Sequence, residues 1–188
     1  MRKLIAAINM TLDGYCDHTA ITPDEEVHQY YADLLDNAGV ILYGRTTYQL
    51  MEYWRTVLEN QTGDPAMDDF SVAIDRVPKL VFSRTLKEVT WGTAKLADRE
   101  PETLIAELKR QPGKDLYVGS PGLIADLAER GLIDEYQLCI HPVILGSGTP
   151  LFRNITGKIM LELLRTRSFR SGAVIHYYEP ARSPGRDS

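Results

Sequence analysis

Tyr117-Val118-Gly119-Ser120-Pro121-Gly122-Leu123 closes an apolar run of strand length and opens a helix. Ser120 stands where an N-cap belongs and Pro121 at the first helical position. Leu123, Ile124 and Leu127 supply an apolar stripe, and Gly131 stops it. Two other stretches, Leu42-Tyr43-Gly44-Arg45-Thr46-Thr47 and Val81-Phe82-Ser83-Arg84-Thr85, likewise put small, hydroxylated and guanidinium-bearing residues directly after a buried-strand pattern. Repeated strand, turn and helix is the signature of an α/β domain whose strand ends gather at one sheet edge. Backbone N–H groups, hydroxyls and arginines at such an edge suit phosphate oxygens, so the three turns together suggest a nucleotide cradle.

Working outward, Lys3 to Asn9 reads as a strand, Asp24 to Asn37 as a helix, Val40 to Tyr43 as a strand and Arg45 to Met51 as a helix. Lys79 to Ser83 and Thr93 to Leu96 are further strands. Pro101 to Lys109 is a helix opened by its proline and ended by Pro112-Gly113, and Leu116 to Val118 is a strand. The last third changes character. Glu135 to Ile144, Met160 to Phe169 and Ala173 to Glu179 alternate β-branched and aromatic residues with polar ones, and only Arg170-Ser171-Gly172 separates the final two. This predicts antiparallel strands added to a mostly parallel sheet. Glu59 to Asp69 reads as a flexible internal loop, and residues 180–188 as a disordered tail following a single domain over residues 1–179.

The 188 residues carry 44% apolar and 25% charged side chains, enough for one substantial core. A formal charge of -5 argues against a nucleic-acid partner, which needs a basic face. The longest apolar stretches are strand-sized, and the N-terminal run is too short for a signal peptide, so a cytoplasmic location without membrane contact is expected. Cys16 and Cys139 are far apart and read as reduced thiols. His18, His28, His141 and His176 lack ligand spacing, so no metal is expected.

Six segments occur in one order: Asn9-Met10-Thr11-Leu12-Asp13-Gly14, Gly44-Arg45-Thr46-Thr47-Tyr48 with Tyr53-Trp54, Phe82-Ser83-Arg84-Thr85-Leu86, Val118-Gly119-Ser120, Gly131-Leu132-Ile133-Asp134-Glu135 and Pro142-Val143-Ile144-Leu145-Gly146-Ser147-Gly148. In this the chain resembles the RibD C-terminal (bacterial bifunctional deaminase-reductase C-terminal) family, from about Met1 to Glu179. The resemblance implies a three-layer α/β/α dihydrofolate reductase-like fold, homodimers, and an NADPH-dependent oxidoreductase that reduces a small heterocyclic acceptor. Its relatives include 5-amino-6-(5-phosphoribosylamino)uracil reductases and dihydrofolate reductases.

On that resemblance the cofactor-binding candidates are Ala7, Ile8, Gly44, Arg45, Thr46, Thr47, Ser83, Arg84, Thr85, Val118, Gly119, Ser120, Pro121, Gly122 and Leu123. Ser83, Arg84 and Thr85 would take the adenosine ribose and its 2′-phosphate, which favours NADPH over NADH. Gly44 and Gly119 would admit the diphosphate. Asn9, Asp13, Tyr48 and Trp54 are the substrate-binding candidates. Asp13 is also the catalytic candidate, as proton source in a closing loop, ahead of Asp24, Glu25, His28 and Tyr48. One departure stands out: riboflavin-pathway reductases carry Glu-Gly-Gly where this chain has Val118-Gly119-Ser120, which leaves the acceptor open. No H-x-E or P-C-x-x-C occurs, so no zinc deaminase unit is expected. A catalytically silent nucleotide-binding or regulatory module on the same fold is the alternative.

Overall fold

A computed structural model describes residues 1–181, and residues 182–188, most of the expected tail, lie outside it. The elements are β1 (Leu4–Thr11), α1 (Glu25–Asp36), β2 (Val40–Gly44), α2 (Arg45–Met51), α3 (Tyr53–Glu59), α4 (Pro65–Arg76), β3 (Lys79–Phe82), β4 (Ala94–Leu96), α5 (Pro101–Arg110), β5 (Leu116–Val118), α6 (Pro121–Glu129), β6 (Glu135–His141), β7 (Leu161–Ser168) and β8 (Val174–Pro180). One eight-stranded sheet has the order β4-β3-β2-β5-β1-β6-β8-β7. Its first six strands run parallel, and β8 pairs antiparallel with both β6 and β7. The mixed α/β/α sandwich expected from the sequence is therefore present, antiparallel C-terminal strands included.

Period-2 alternation in β1 splits the core into layers. Leu4, Ala6, Ile8 and Met10 pack with Ile105 of α5 and with Ile124 and Leu127 of α6 on one face. On the other, Ile41 and Tyr43 of β2 pack with Leu35 of α1 and Ile74 of α4. The crossover from β1 to β2 and the one from β5 to β6 travel in opposite directions along the sheet. Right-handed connections therefore put α1 and α6 on opposite faces. Helix ends follow local chemistry: Asp24 caps α1 by accepting from the Val27 N–H at 2.9 Å, and Gly131, at φ 64°, ends α6 in the left-handed region.

Two expectations are corrected here. The segment from Glu59 to Asp69 is not one flexible loop, because Glu59 ends α3 and Pro65 opens α4, with Asp64 as its N-cap. The short connection left over is fastened by Asp68, whose carboxylate accepts from the N–H groups of Thr62 and Gly63. An Asp-Pro start followed by Ala66, Phe70, Ala73 and Ile74 at helical spacing was readable, but the polar run before it masked the signal. The domain also runs past Glu179. Pro180 ends β8, and the Ala181 N–H donates to the Met160 carbonyl.

Candidate functional site

The carboxyl ends of all six parallel strands lie along one edge, and at its centre the sheet is notched. β5 is only three residues long, and its pairing with β1 stops at Ala6↔Val118, whereas β1 continues to Thr11. Five residues, Ala7 to Thr11, thus project roughly 16 Å beyond their β5 neighbour at the usual rise per residue. On the other side β2 overruns β5 by Tyr43 and Gly44. The floor of the notch is the Gly119-Ser120 turn. A Cβ on Gly119 would stand 3.5 Å from the Ala7 carbonyl oxygen, in ordinary van der Waals contact, so the glycine leaves the space above that carbonyl open. This is the crevice outside the carboxyl ends of parallel strands at which α/β sheets bind ligands.

Hydrogen bonds tie the three turns together. The Ser120 hydroxyl, buried, accepts from the Gly44 N–H at 2.9 Å. Ser120 occupies the N-cap position of α6 but makes no side-chain bond to its own helix, which corrects the capping role expected for it. It also means that the Gly44 N–H is already engaged, so Gly44 contributes close approach rather than a free donor. Arg45 reaches across to donate to the Thr85 hydroxyl at 2.7 Å. The Ser83 hydroxyl accepts from the N–H groups of Thr85 and Leu86, which shapes the turn after β3. Thr46 and Thr47 lie in the first turn of α2, while Val118 is fully buried below the notch.

Beside the notch, a hollow of about 700 Å³ opens between the ends of β3 and β4 and the helices α5 and α6. Ser83, Arg84 and Leu123 are in its wall, and Leu123 sits three residues beyond Ser120, so the first turn of α6 borders both spaces. The wall also includes residues that the sequence reading missed: Asp98, Arg99, Glu100, Thr103, Asp126 and Arg130. Their signal was positional, because Ala97 to Glu100 join the end of β4 to a proline-opened helix at the same edge. Three guanidiniums border this hollow. Arg99 is paired with Asp98 and Glu107, and Arg130 with Glu102 and Asp126. Arg84 has no carboxylate partner among the described residues and is exposed.

The acceptor-side candidates are distributed differently. Asp13 is a clasp: its carboxylate accepts from the Thr11 hydroxyl at 2.6 Å, the Leu145 N–H at 3.1 Å and the Gly146 N–H at 2.7 Å. These donors hold its pKa down at about 2, the Thr11 hydroxyl most of all. Asp13 is thus ionised at neutral pH and unsuited to the proton-source role expected of it. It fastens the loop after β1 to the loop after β6, which are further joined by Leu12 N–H to Val143, Cys16 N–H to Thr149 and Leu151 N–H to Gly14. Tyr48 does not face a ligand space. It is buried, and its hydroxyl accepts from the N–H groups of Thr90 and Trp91. Trp54 packs against Phe70 at 4.5 Å between ring centres, and Phe70 lies 6.5 Å from the His28 ring, so the three form an aromatic cluster of α1, α3 and α4. Asp24 is spent on its cap.

Asn9 lies in the overhanging part of β1 and brings in a residue that the sequence reading had set aside. His141, at the end of β6 and 5% exposed, places Nε2 2.8 Å from the Asn9 Oδ1. Burial pushes the His141 pKa below its ordinary value, partly opposed by Asp24. Among the described residues there is no cluster of His, Cys, Asp and Glu able to hold a metal, and no helix long and apolar enough to cross a membrane.

The RibD C-terminal domain model matches residues 2–175. The uncharacterized protein YyaP of Bacillus subtilis (strain 168) is 33% identical over 181 residues, which is 92% of each chain. Among solved structures, a Shewanella sp. PV-4 protein named for riboflavin biosynthesis superposes with a TM-score of 0.72 at 22% identity, over 96% of this chain and 99% of that one. The diaminohydroxyphosphoribosylaminopyrimidine deaminase/5-amino-6-(5-phosphoribosylamino)uracil reductase of Thermotoga maritima superposes with a TM-score of 0.63 at 12% identity. That match takes in 96% of this chain and 57% of the Thermotoga one. At these identities the two structures speak for the fold alone.

Proposed function

This chain belongs to the RibD C-terminal domain family, and from that premise we propose that it is an NADPH-dependent reductase of a small heterocyclic acceptor. The observation that carries the proposal is that the central notch and the hollow beside Arg84 lie along one carboxyl edge, with the first turn of α6 between them. The donor set suits a dinucleotide phosphate. Gly119 leaves space over the Ala7 carbonyl, the first turns of α2 and α6 offer N–H groups, and Arg84 is a guanidinium without a counter-charge among the described residues. In this reading Ala7 and Ile8 border the nicotinamide end, with Val118 buried beneath them and out of reach of the ligand, while Gly44, Arg45, Thr46, Thr47, Gly119, Ser120, Pro121 and Gly122 border the diphosphate. Ser83, Arg84, Thr85 and Leu123 border the adenosine end.

NADPH supplies the hydride when bound, and the protein supplies orientation and the exclusion of water. With Asp13 held as a carboxylate, the proton that accompanies the hydride enters from another group or from water. Asn9 and the aromatic cluster of Trp54, Phe70 and His28 are the acceptor wall. The protein is further proposed to be cytoplasmic, consistent with its two free cysteines, and to act as a homodimer through β7. That edge strand is almost wholly exposed and bears Leu163 and Leu164, next to exposed Met160.

A fluorescence titration with NADPH, followed by cofactor-oxidation assays against pteridines and aminopyrimidinones, tests the proposal. Saturable binding with turnover of a panel member is expected. Binding with no turnover across the panel would favour the silent module, and no binding at all would overturn both readings.

A further inference from the structure

His141 is nearly excluded from solvent, and its ring Nε2 has two polar neighbours, the Asn9 Oδ1 on the overhanging part of β1 and the Cys139 Sγ. An asparagine Oδ1 can only accept, so the 2.8 Å contact is made with a hydrogen on Nε2. The Cys139 Sγ lies 3.6 Å from the same nitrogen, and burial holds that thiol protonated, with its pKa raised to about 12. With its oxygen held, the Asn9 amide can present its NH₂ in one direction only. That NH₂ makes no hydrogen bond to any described residue. It is nevertheless not a sealed orphan, since no buried side-chain polar atom of the described residues lacks a partner. Asn9 belongs to the five-residue overhang of β1 beyond its β5 neighbour. A donor with a fixed direction therefore stands, open to solvent, on the overhang of β1 that borders the notch.

We propose that His141 is a positioning residue: by anchoring the Asn9 oxygen it turns the Asn9 NH₂ into a preset donor for a carbonyl oxygen of the bound ligand. The inference rests on the reductase reading and deepens it. Carbonyl oxygens come from two sources in that reading, the carboxamide of the nicotinamide and a ring carbonyl of the acceptor. The recognition chemistry is the same for both. A ring that presented a donor at this position would meet two hydrogens face to face and be rejected.

The test follows the Asn9 side-chain amide by ¹⁵N NMR in wild type, His141→Gln and His141→Leu. NADPH is added alone, then with 7,8-dihydrofolate or an aminopyrimidinone. Gln keeps a donor close to the Nε2 position, and Leu removes it at similar volume. In wild type and His141→Gln the Asn9 NH₂ resonances are expected to move. A shift with NADPH alone assigns the carboxamide, and a shift only on adding the second compound assigns the acceptor. His141→Leu should lose the shift and weaken the same ligand about tenfold, or about 1.4 kcal/mol, while the Gly119 amide still responds to NADPH. Should His141→Leu fail to fold, Asn9→Leu is expected to give the same tenfold loss with His141 in place. The proposal is overturned if Gly119 responds to NADPH while Asn9 stays still under both additions, or if the Leu variants bind as wild type does. If Gly119 does not respond either, the reductase reading fails first and this inference falls with it.

Discussion

Replacing Arg84 with alanine should separate the two nicotinamide cofactors. Of the three guanidiniums around the hollow, Arg99 and Arg130 each spend their charge on two carboxylates, whereas Arg84 has no carboxylate partner among the described residues. A hydrogen bond to a charged group contributes about 1.5–3 kcal/mol, and exposure of Arg84 to solvent puts it at the lower end. About 1.5–2 kcal/mol corresponds to a Kd for NADPH raised roughly 10- to 30-fold. NADH lacks the 2′-phosphate, so its Kd should change less than about twofold, within ordinary surface effects. Arg99→Ala is the control, because its charge is already matched and its loss should affect both cofactors alike. The assay is a cofactor-fluorescence titration at low and at physiological ionic strength, where the NADPH penalty should shrink as salt rises. Equal losses for NADPH and NADH, or an Arg84→Ala protein indistinguishable from wild type, would refute the placement of the phosphate.

Three further outcomes are expected. Asp13→Asn keeps one acceptor oxygen but loses the charge that draws the Leu145 and Gly146 N–H groups together, so hydrogen exchange at those two amides should quicken while the β1 core stays protected; unchanged exchange would remove Asp13 as the clasp. A Cβ on Gly39 would stand 2.5 Å from the Lys114 carbonyl oxygen and against the Arg2 guanidinium, so Gly39→Ala should cost about 2 kcal/mol and lower Tm by roughly 4–8 °C; a wild-type melting curve would show that this corner yields freely. Burial depresses the pKa of both His28 and His141, so below about pH 6.5 the unfolded chain binds protons that the folded one resists. The stability they contribute is complete above that pH and declines as pH falls from 7 toward 5. A urea midpoint that stays flat over this interval would contradict the burial of both rings.

Most of the fold was legible because local chemistry and tertiary packing agree at the helix starts and strand runs. Asp24 caps α1 through Val27, Pro101 and Pro121 open their helices, and the apolar periodicity of Lys3 to Asn9 reappears as β1. The stretch from Tyr53 to Asp69 was less legible because a polar run lies between the end of α3 and the start of α4, two helices that pack on each other and, through α4, on α1. In the site, residue type carried the reading only part of the way. Ser120 and Ser83 were rightly marked as turn residues, but which donor a hydroxyl satisfies depends on what the fold places beside it, and both hydroxyls are engaged internally. Tyr48 was legible as an aromatic and not as the acceptor of two backbone N–H groups more than forty residues away.

By itself, then, the order of strands, turns and helices determined an α/β sheet with its glycine-bearing turns along one edge, since hydrophobic period, capping and turn chemistry are local properties. Only the tertiary structure decided that β5 ends short between two longer strands, that Arg99 and Arg130 are paired with carboxylates while Arg84 has none among the described residues, and that His141 finds Asn9 across 132 residues of sequence. Strand register, charge pairing and side-chain partnership are set by neighbours far away in the chain, and sequence spacing carries no record of them.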